Sequence, residues 1–120
     1  MNHNFRELKI WKESMNFVKM VYSITKLLPN EERFGLISHV NRCSVSIPSN
    51  IAEGSGRTTQ KEFLHFLNIA VSSSFELETQ LLLIVDLFKV DCSECLVKVI
   101  EVQKMISGFK KAITNNNIKI

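Results

Sequence analysis

The sequence predicts an all-α fold: an antiparallel, up-down-up-down four-helix bundle. Three observations predict it. Apolar residues recur at steps of three and four along four long stretches. Short breaks carrying proline, glycine or capping residues separate those stretches, as between antiparallel neighbours. With only four Gly and two Pro in 120 residues, the chain has few residues for the turns of an all-β fold. A composition 45% hydrophobic and 22% charged is that of a globular protein. The length suits one domain, residues 1–120, able to bury about two-thirds of its unfolded surface.

After a polar lead-in over residues 1–7, the first helix is expected at about 8–28. One apolar stripe is Trp11, Met15, Val18, Tyr22. A second is Ile10, Phe17, Val21, Ile24, Leu28, roughly 110° away by the helical period. A helix in a lone bundle needs one such stripe. Two imply a second surface to pack against.

Pro29-Asn30 stops this helix and offers a cap to the next, expected at about 31–54. The second helix has a core stripe of Ile37, Val40, Ser44, Ile47 and Ile51. Roughly 140° around it runs a polar stripe of Arg42, Ser46, Asn50, Glu53 and Arg57. Pro48 lies inside the pattern, where it removes a backbone donor and predicts a kink, not a break. Gly54-Ser55-Gly56 reads as a left-handed C-terminal stop.

Thr59-x-x-Glu62 is a capping box for a third helix at about 60–88. Its core stripe is Phe63, Leu67, Ala70, Ser74, Leu77, Leu81, Ile84 and Phe88, flanked by a further apolar row of Leu64, Val71, Phe75 and Leu82. Asp91-x-x-Glu94 is a second capping box, for a fourth helix at about 92–114. That helix carries Leu96, Val99, Val102, Ile106, Phe109 and Ile113, close to a heptad seam. Asn115–Ile120 reads as a frayed tail. The chain shows no internal repeat and no low-complexity tract.

Charge is unevenly placed. Residues 1–28 carry +3, 29–57 zero, 58–90 −2 and 91–120 +2. The ends are basic and the middle is not, a modest pointer to polyanions. No apolar run precedes a small-residue cleavage site, no stretch reaches the length of a membrane span, and Cys43, Cys92 and Cys95 are an odd number. A reduced cytoplasmic setting away from membranes is expected.

The run Arg42…Ser46-Ile47-Pro48-Ser49-Asn50-Ile51-Ala52-Glu53-Gly54 resembles the four-helix-bundle family encoded in intervening sequences of bacterial 23S ribosomal RNA genes, a ribosomal-protein-like family. The resemblance extends to Leu8-x-x-Trp11, Pro29-x-x-Glu32-x-Phe34-Gly35-Leu36, and Ile69-Ala70-x-x-Ser73 through Glu76-Leu77-Glu78. Ser72-Ser73 stands where the family tends to have Gly-Ser, and His39 where Gln is common. The resemblance implies a left-handed bundle assembled as a ring-like homopentamer. It also implies kinship with the accessory variability proteins of retroelements, which bind nucleic acid and a reverse transcriptase. It implies no established enzymatic activity and no settled cellular role.

Candidate chemistry is sparse. Glu62-x-x-His65 has the spacing of a di-iron ligand pair, but no second Glu-x-x-His exists to complete it; a solvated helix start is the plainer reading. Cys92-x-x-Cys95 suits redox work or half a zinc site at a helix N-terminus, where thiolates are favoured. It lacks a second ligand pair, and Cys also serves as a small core residue. No cofactor is implied. Arg42, Asn50, Glu53, Arg57 and Glu76 form either a polar network between helices two and three or across a subunit interface, or a site for phosphate groups with bidentate Arg contacts. A buried Glu53 or Glu76 would need Arg42, Asn50 or Arg57 as partner.

Lys12, Lys19 and Lys26 on the first helix and Lys104, Lys110 and Lys111 on the fourth are candidate polyanion contacts, or an ordinary soluble surface. A ring would repeat the chain's charge of +3 in every copy. The expectation is a non-enzymatic homo-oligomer that binds nucleic acid, structured RNA above DNA. The alternative is a protein-interaction scaffold without nucleic-acid binding.

Overall fold

A computed structural model describes residues 3–115. They form four α-helices and two short 3₁₀ turns, with no strand among them. The helices are α1 (Lys9–Thr25), α2 (Leu36–Ser55), α3 (Gln60–Phe88) and α4 (Ser93–Thr114). The fold is all-α, as the periodicity predicts. Each helix packs on its chain neighbours, and α1 closes the circle against α4. Across α1 and α2, and across α2 and α3, the contacts run in opposite directions. Thr25 meets Asn41 across α1 and α2 while Trp11 and Ala52 share a groove further along. Across α2 and α3, Ser46 meets Ser73 and Gly54 meets Phe63. Gln103 reaches Glu78 across α3 and α4, and Lys98 reaches Glu13 across α4 and α1.

The predicted stripes make the core. Ile10, Phe17 and Val21 of α1 meet Val40, Ile47 and Ile51 of α2, Leu67, Leu77, Leu81 and Ile84 of α3, and Val99, Val102, Ile106 and Ile113 of α4. Three serines lie fully inside: Ser14, Ser44 and Ser74. Each hydroxyl donates to a carbonyl of its own helix: Ser14 to Ile10 at 2.6 Å, Ser44 to Asn41 at 2.8 Å, Ser74 to Val71 at 2.6 Å. The small side chains let the helices approach, and the back-bonding removes the penalty of an unpaired hydroxyl.

Several local expectations change. Helix α2 begins at Leu36, not near Glu31, because Asn30–Glu32 makes a 3₁₀ turn and the backbone leaves helical geometry at Gly35 (φ −109°, ψ −108°). One expectation holds: Pro48 does not break α2, which runs on to Ser55. The expected left-handed stop at Gly54-Ser55-Gly56 does not form: Gly56 is right-handed (φ −87°, ψ −1°), and Gly54 belongs to the helix. The left-handed cap is at Lys89 instead, closing α3 at φ 56°.

The Thr59 cap does form, its hydroxyl accepting from the Glu62 amide at 3.1 Å. The Asp91–Glu94 box does not. Cys92 is the cap position of α4, and the Asp91 carboxylate accepts from the Ser93 amide at 2.9 Å. That bond lowers the Asp91 pKa below its ordinary value. The lead-in is docked rather than merely polar. The His3 amide donates to the Ser55 carbonyl at 3.2 Å, and its ring packs on Phe63 and Phe109 with centroids 5.6 and 6.1 Å away. Of the expected tail, only Asn115 falls within the described residues, as the C-cap of α4. No described helix is long and apolar enough to cross a membrane.

Candidate nucleic-acid interface

The polar stripe of α2 faces the α3 flank, but its charged members form no ion pair with α3 among the described residues. Ser46 and Ser73 join hydroxyl to hydroxyl at 2.9 Å. Asn50 donates to the Ser46 carbonyl at 2.8 Å and to its hydroxyl at 3.0 Å. Glu53 of α2 pairs with Arg57, just past the helix end, at 2.6 Å. The Arg57 guanidinium also lies over the Phe66 ring, 4.7 Å from its centroid. Glu53 and Glu76 are both exposed, so neither is the buried carboxylate that would require a partner. Arg42 is exposed and has no ion-pair partner among the described residues. The seam is therefore a neutral Ser-Ser-Asn zipper, with an ion pair at one end and a free guanidinium at the other.

Cys43 lies beside this seam, its thiol 3.6 Å from the Ser73 carbonyl. Burial, then a hydrogen bond and charge from Glu76, push its pKa up to about 12. Of the two readings of Cys92-x-x-Cys95, the small core residue fits the structure. Both side chains are buried. Burial raises the Cys92 pKa, and with neighbouring charge it pushes Cys95 to about 11. Desolvation disfavours the charged thiolate at both positions. Glu62 is engaged with Thr59 and Thr58, and His65 packs on Phe66 at 5.3 Å, so these two do not act together. Among the described residues, no three His, Cys, Asp or Glu side chains gather as a metal site requires.

The lysines are arranged differently. Lys12, Lys19 and Lys26 recur every seventh residue and are exposed. Two helical turns separate consecutive members, about 10 Å along the axis. Lys104 and Lys111 repeat that spacing on α4 and are exposed, while Lys110 is half-buried. None of the six has an ion-pair partner among the described residues. Lys98 is the contrasting case. It is largely covered and bridges Glu13 of α1 and Glu101 of α4. Lys98 hydrogen-bonds Glu13, which raises the lysine pKa and lowers that of the carboxylate.

Apolar surface is left over. Trp11, Met15 and Val18 of α1 line a groove of about 300 Å³ with Val45, Pro48 and Ala52 of α2. Met15 remains 38% exposed. Phe75 and Leu82 of α3 are 55% and 50% exposed, and Ile100 of α4 is 42% exposed. The flank row of α3 is thus uncovered along part of its length, though Val71 is buried. Sequence periodicity missed the exposure of Phe34 on the turn before α2, which is 84%.

Fold and surface together define a small all-α bundle protein whose outward lysines have no ion-pair partner among the described residues. The model of the family described as 23S rRNA-intervening sequence protein matches residues 6–108, and the chain belongs to that family. No individually curated protein matches the chain.

Proposed function

We propose that the chain is a non-enzymatic subunit of a cytoplasmic homo-oligomer that binds RNA. The observation that carries this reading is the row Lys12, Lys19, Lys26 on α1, exposed and without carboxylate partners among the described residues. Unpaired cations at a regular spacing suit a phosphate backbone, which rewards charge neutralisation by releasing counterions. The family's name ties it to 23S rRNA, which favours RNA as the polyanion.

Two features support self-association. The α1/α2 groove is one apolar surface, and the exposed Phe75, Leu82 and Ile100 on α3 and α4 make a second. Docking one face on the other in a second copy is a head-to-tail contact, which closes into a ring when the rotation allows it. A pentamer agrees with the family resemblance. Each added copy also repeats the lysine row and multiplies the field around the assembly.

The test is binding of a labelled ribosomal RNA fragment across a salt series, with sedimentation of the free protein alongside. Tight binding at low salt that weakens steeply with salt is expected. Replacing Lys12, Lys19 and Lys26 together by Gln should flatten the log–log salt slope by about two. Absence of binding at low salt overturns the RNA half of the reading and leaves the apolar faces as docking surfaces for another protein. A monomer at high dilution overturns the oligomeric half.

A further inference from the structure

The turn between α1 and α2 encloses a cleft of about 390 Å³, within the range of small-ligand sites. Its walls include Tyr22, Thr25 and Lys26 from the end of α1, Asn30 and Arg33 from the turn, and Asn41 from α2. Lys26 and Arg33 are exposed, and neither has a carboxylate partner among the described residues. The Arg33 guanidinium rests on the Phe34 ring at 4.7 Å, which limits its freedom. Glu31 and Glu32 sit on the same turn but do not line the cleft.

Thr25 is buried, and its hydroxyl donates to the Asn41 side-chain oxygen at 2.9 Å. The Asn41 amide nitrogen then keeps two donors with no acceptor among the described residues. Tyr22 is 39% exposed and supplies a ring at one wall. Two unpaired cations, a free amide donor and a half-open aromatic ring match different parts of one ligand. Cations suit a phosphate, the ring suits a base, and the amides suit the base's polar edge.

We propose that this cleft binds a nucleotide unit, its phosphate held between Lys26 and Arg33 and its base set against Tyr22. With an RNA strand as the source of the nucleotide, the proposal rests on the RNA reading above; with a free mononucleotide, it does not. Arg33 and Tyr22 extend the contact surface beyond the lysine row, and Lys26 belongs to both.

The experiment follows the full chain by two-dimensional NMR during titration with AMP, with inorganic phosphate, and with a short single-stranded oligoribonucleotide. Affinities for each are measured for the parent, Arg33→Gln, Tyr22→Ala and the double variant Lys12→Gln/Lys19→Gln. A thermal melt of each variant confirms folding.

Shifts in the Asn41 side-chain amide and the Tyr22 ring are expected with AMP and oligonucleotide. Affinity should fall on the order of tenfold in Arg33→Gln and in Tyr22→Ala. Should those two variants bind as the parent does while the double lysine variant loses oligonucleotide affinity, the cleft proposal fails and the RNA reading stands. Should the oligonucleotide not bind but AMP shift the cleft residues, the RNA reading fails and the cleft stands as a mononucleotide site. Phosphate acting as well as AMP, with the Tyr22 ring unmoved, overturns the nucleotide assignment. No response to any of the three overturns it as well.

Discussion

Gly54 of α2 lies so close to Phe63 of α3 that a β-carbon on it would stand 2.8 Å from the ring's Cδ1. The same β-carbon would stand 2.8 Å from Cβ of Phe66, an atom that cannot swing aside without moving the helix. The glycine is there for helix approach, not for a turn. Gly54→Ala should therefore destabilise the fold. Overpacking costs about 1–3 kcal/mol. Alanine's helix preference offsets about 1 kcal/mol of that, leaving a net loss of up to about 2 kcal/mol. Gly108→Ala is the control: nothing lies within 4 Å of its added carbon, so it should stabilise by about 1 kcal/mol. Urea denaturation of both variants checks the pair.

Lys89 closes α3 in the left-handed region at φ 56°, where an L side chain is strained. Lys89→Gly should raise stability by about 0.5–1 kcal/mol. A rise in the thermal midpoint is the expected readout, with the helical content of the folded state unchanged.

The Glu13–Lys98 pair gives stability a defined dependence on pH. Lys98 depresses the Glu13 pKa below its ordinary value of 4.5. The contribution is therefore present above pH 4.5 and is lost as pH falls through the lower folded value. The Lys98 pKa is raised above 10.5, chiefly by Glu13, so its contribution is present below that pH and lost as pH rises through the folded value. Lys98→Met should lower the urea midpoint at neutral pH, and the gap from the parent should narrow in acid. A gap that stays constant down to pH 2 would contradict this assignment.

The three cysteines should be inert in the folded protein. All are buried, with Cys43 pushed to about 12 and Cys95 to about 11. A thiol-reactive dye at neutral pH should label less than one thiol per native chain within minutes, and all three once denaturant is added. Rapid native labelling of Cys92 or Cys95 would restore the redox reading of that pair.

The helices were legible because each carries a long stripe of one period, and Phe63 through Phe88 shows it best. What failed was local chemistry with two structural meanings. Gly54 and Gly56 look like a helix stop, but only the position of Phe63 reveals that Gly54 is a contact point. Asp91 and Glu94 have capping-box spacing, yet Asp91 serves the nearer amide of Ser93 and leaves the cap position to Cys92. The seam residues were placed on the right helix face. Their pairing was not readable, because Glu53 meets Arg57 just past the end of its own helix, where a sequence allows Arg42 and Glu76 equally. The lysine row was readable by spacing alone. The cleft at Arg33 was not, because it depends on where the 3₁₀ turn sets Asn30 relative to Asn41.

Ser14, Ser44 and Ser74 each turn their hydroxyl back onto their own helix, so these interior hydroxyls make no polar link from one rod to another. Axial alignment of the rods must then come from shape, and from the fasteners at Thr25–Asn41, Ser46–Ser73, Gln103–Glu78 and Lys98–Glu13. Interior positions are free to drift among small and greasy residues of matching volume, while a change at one of those fasteners lets two rods slide.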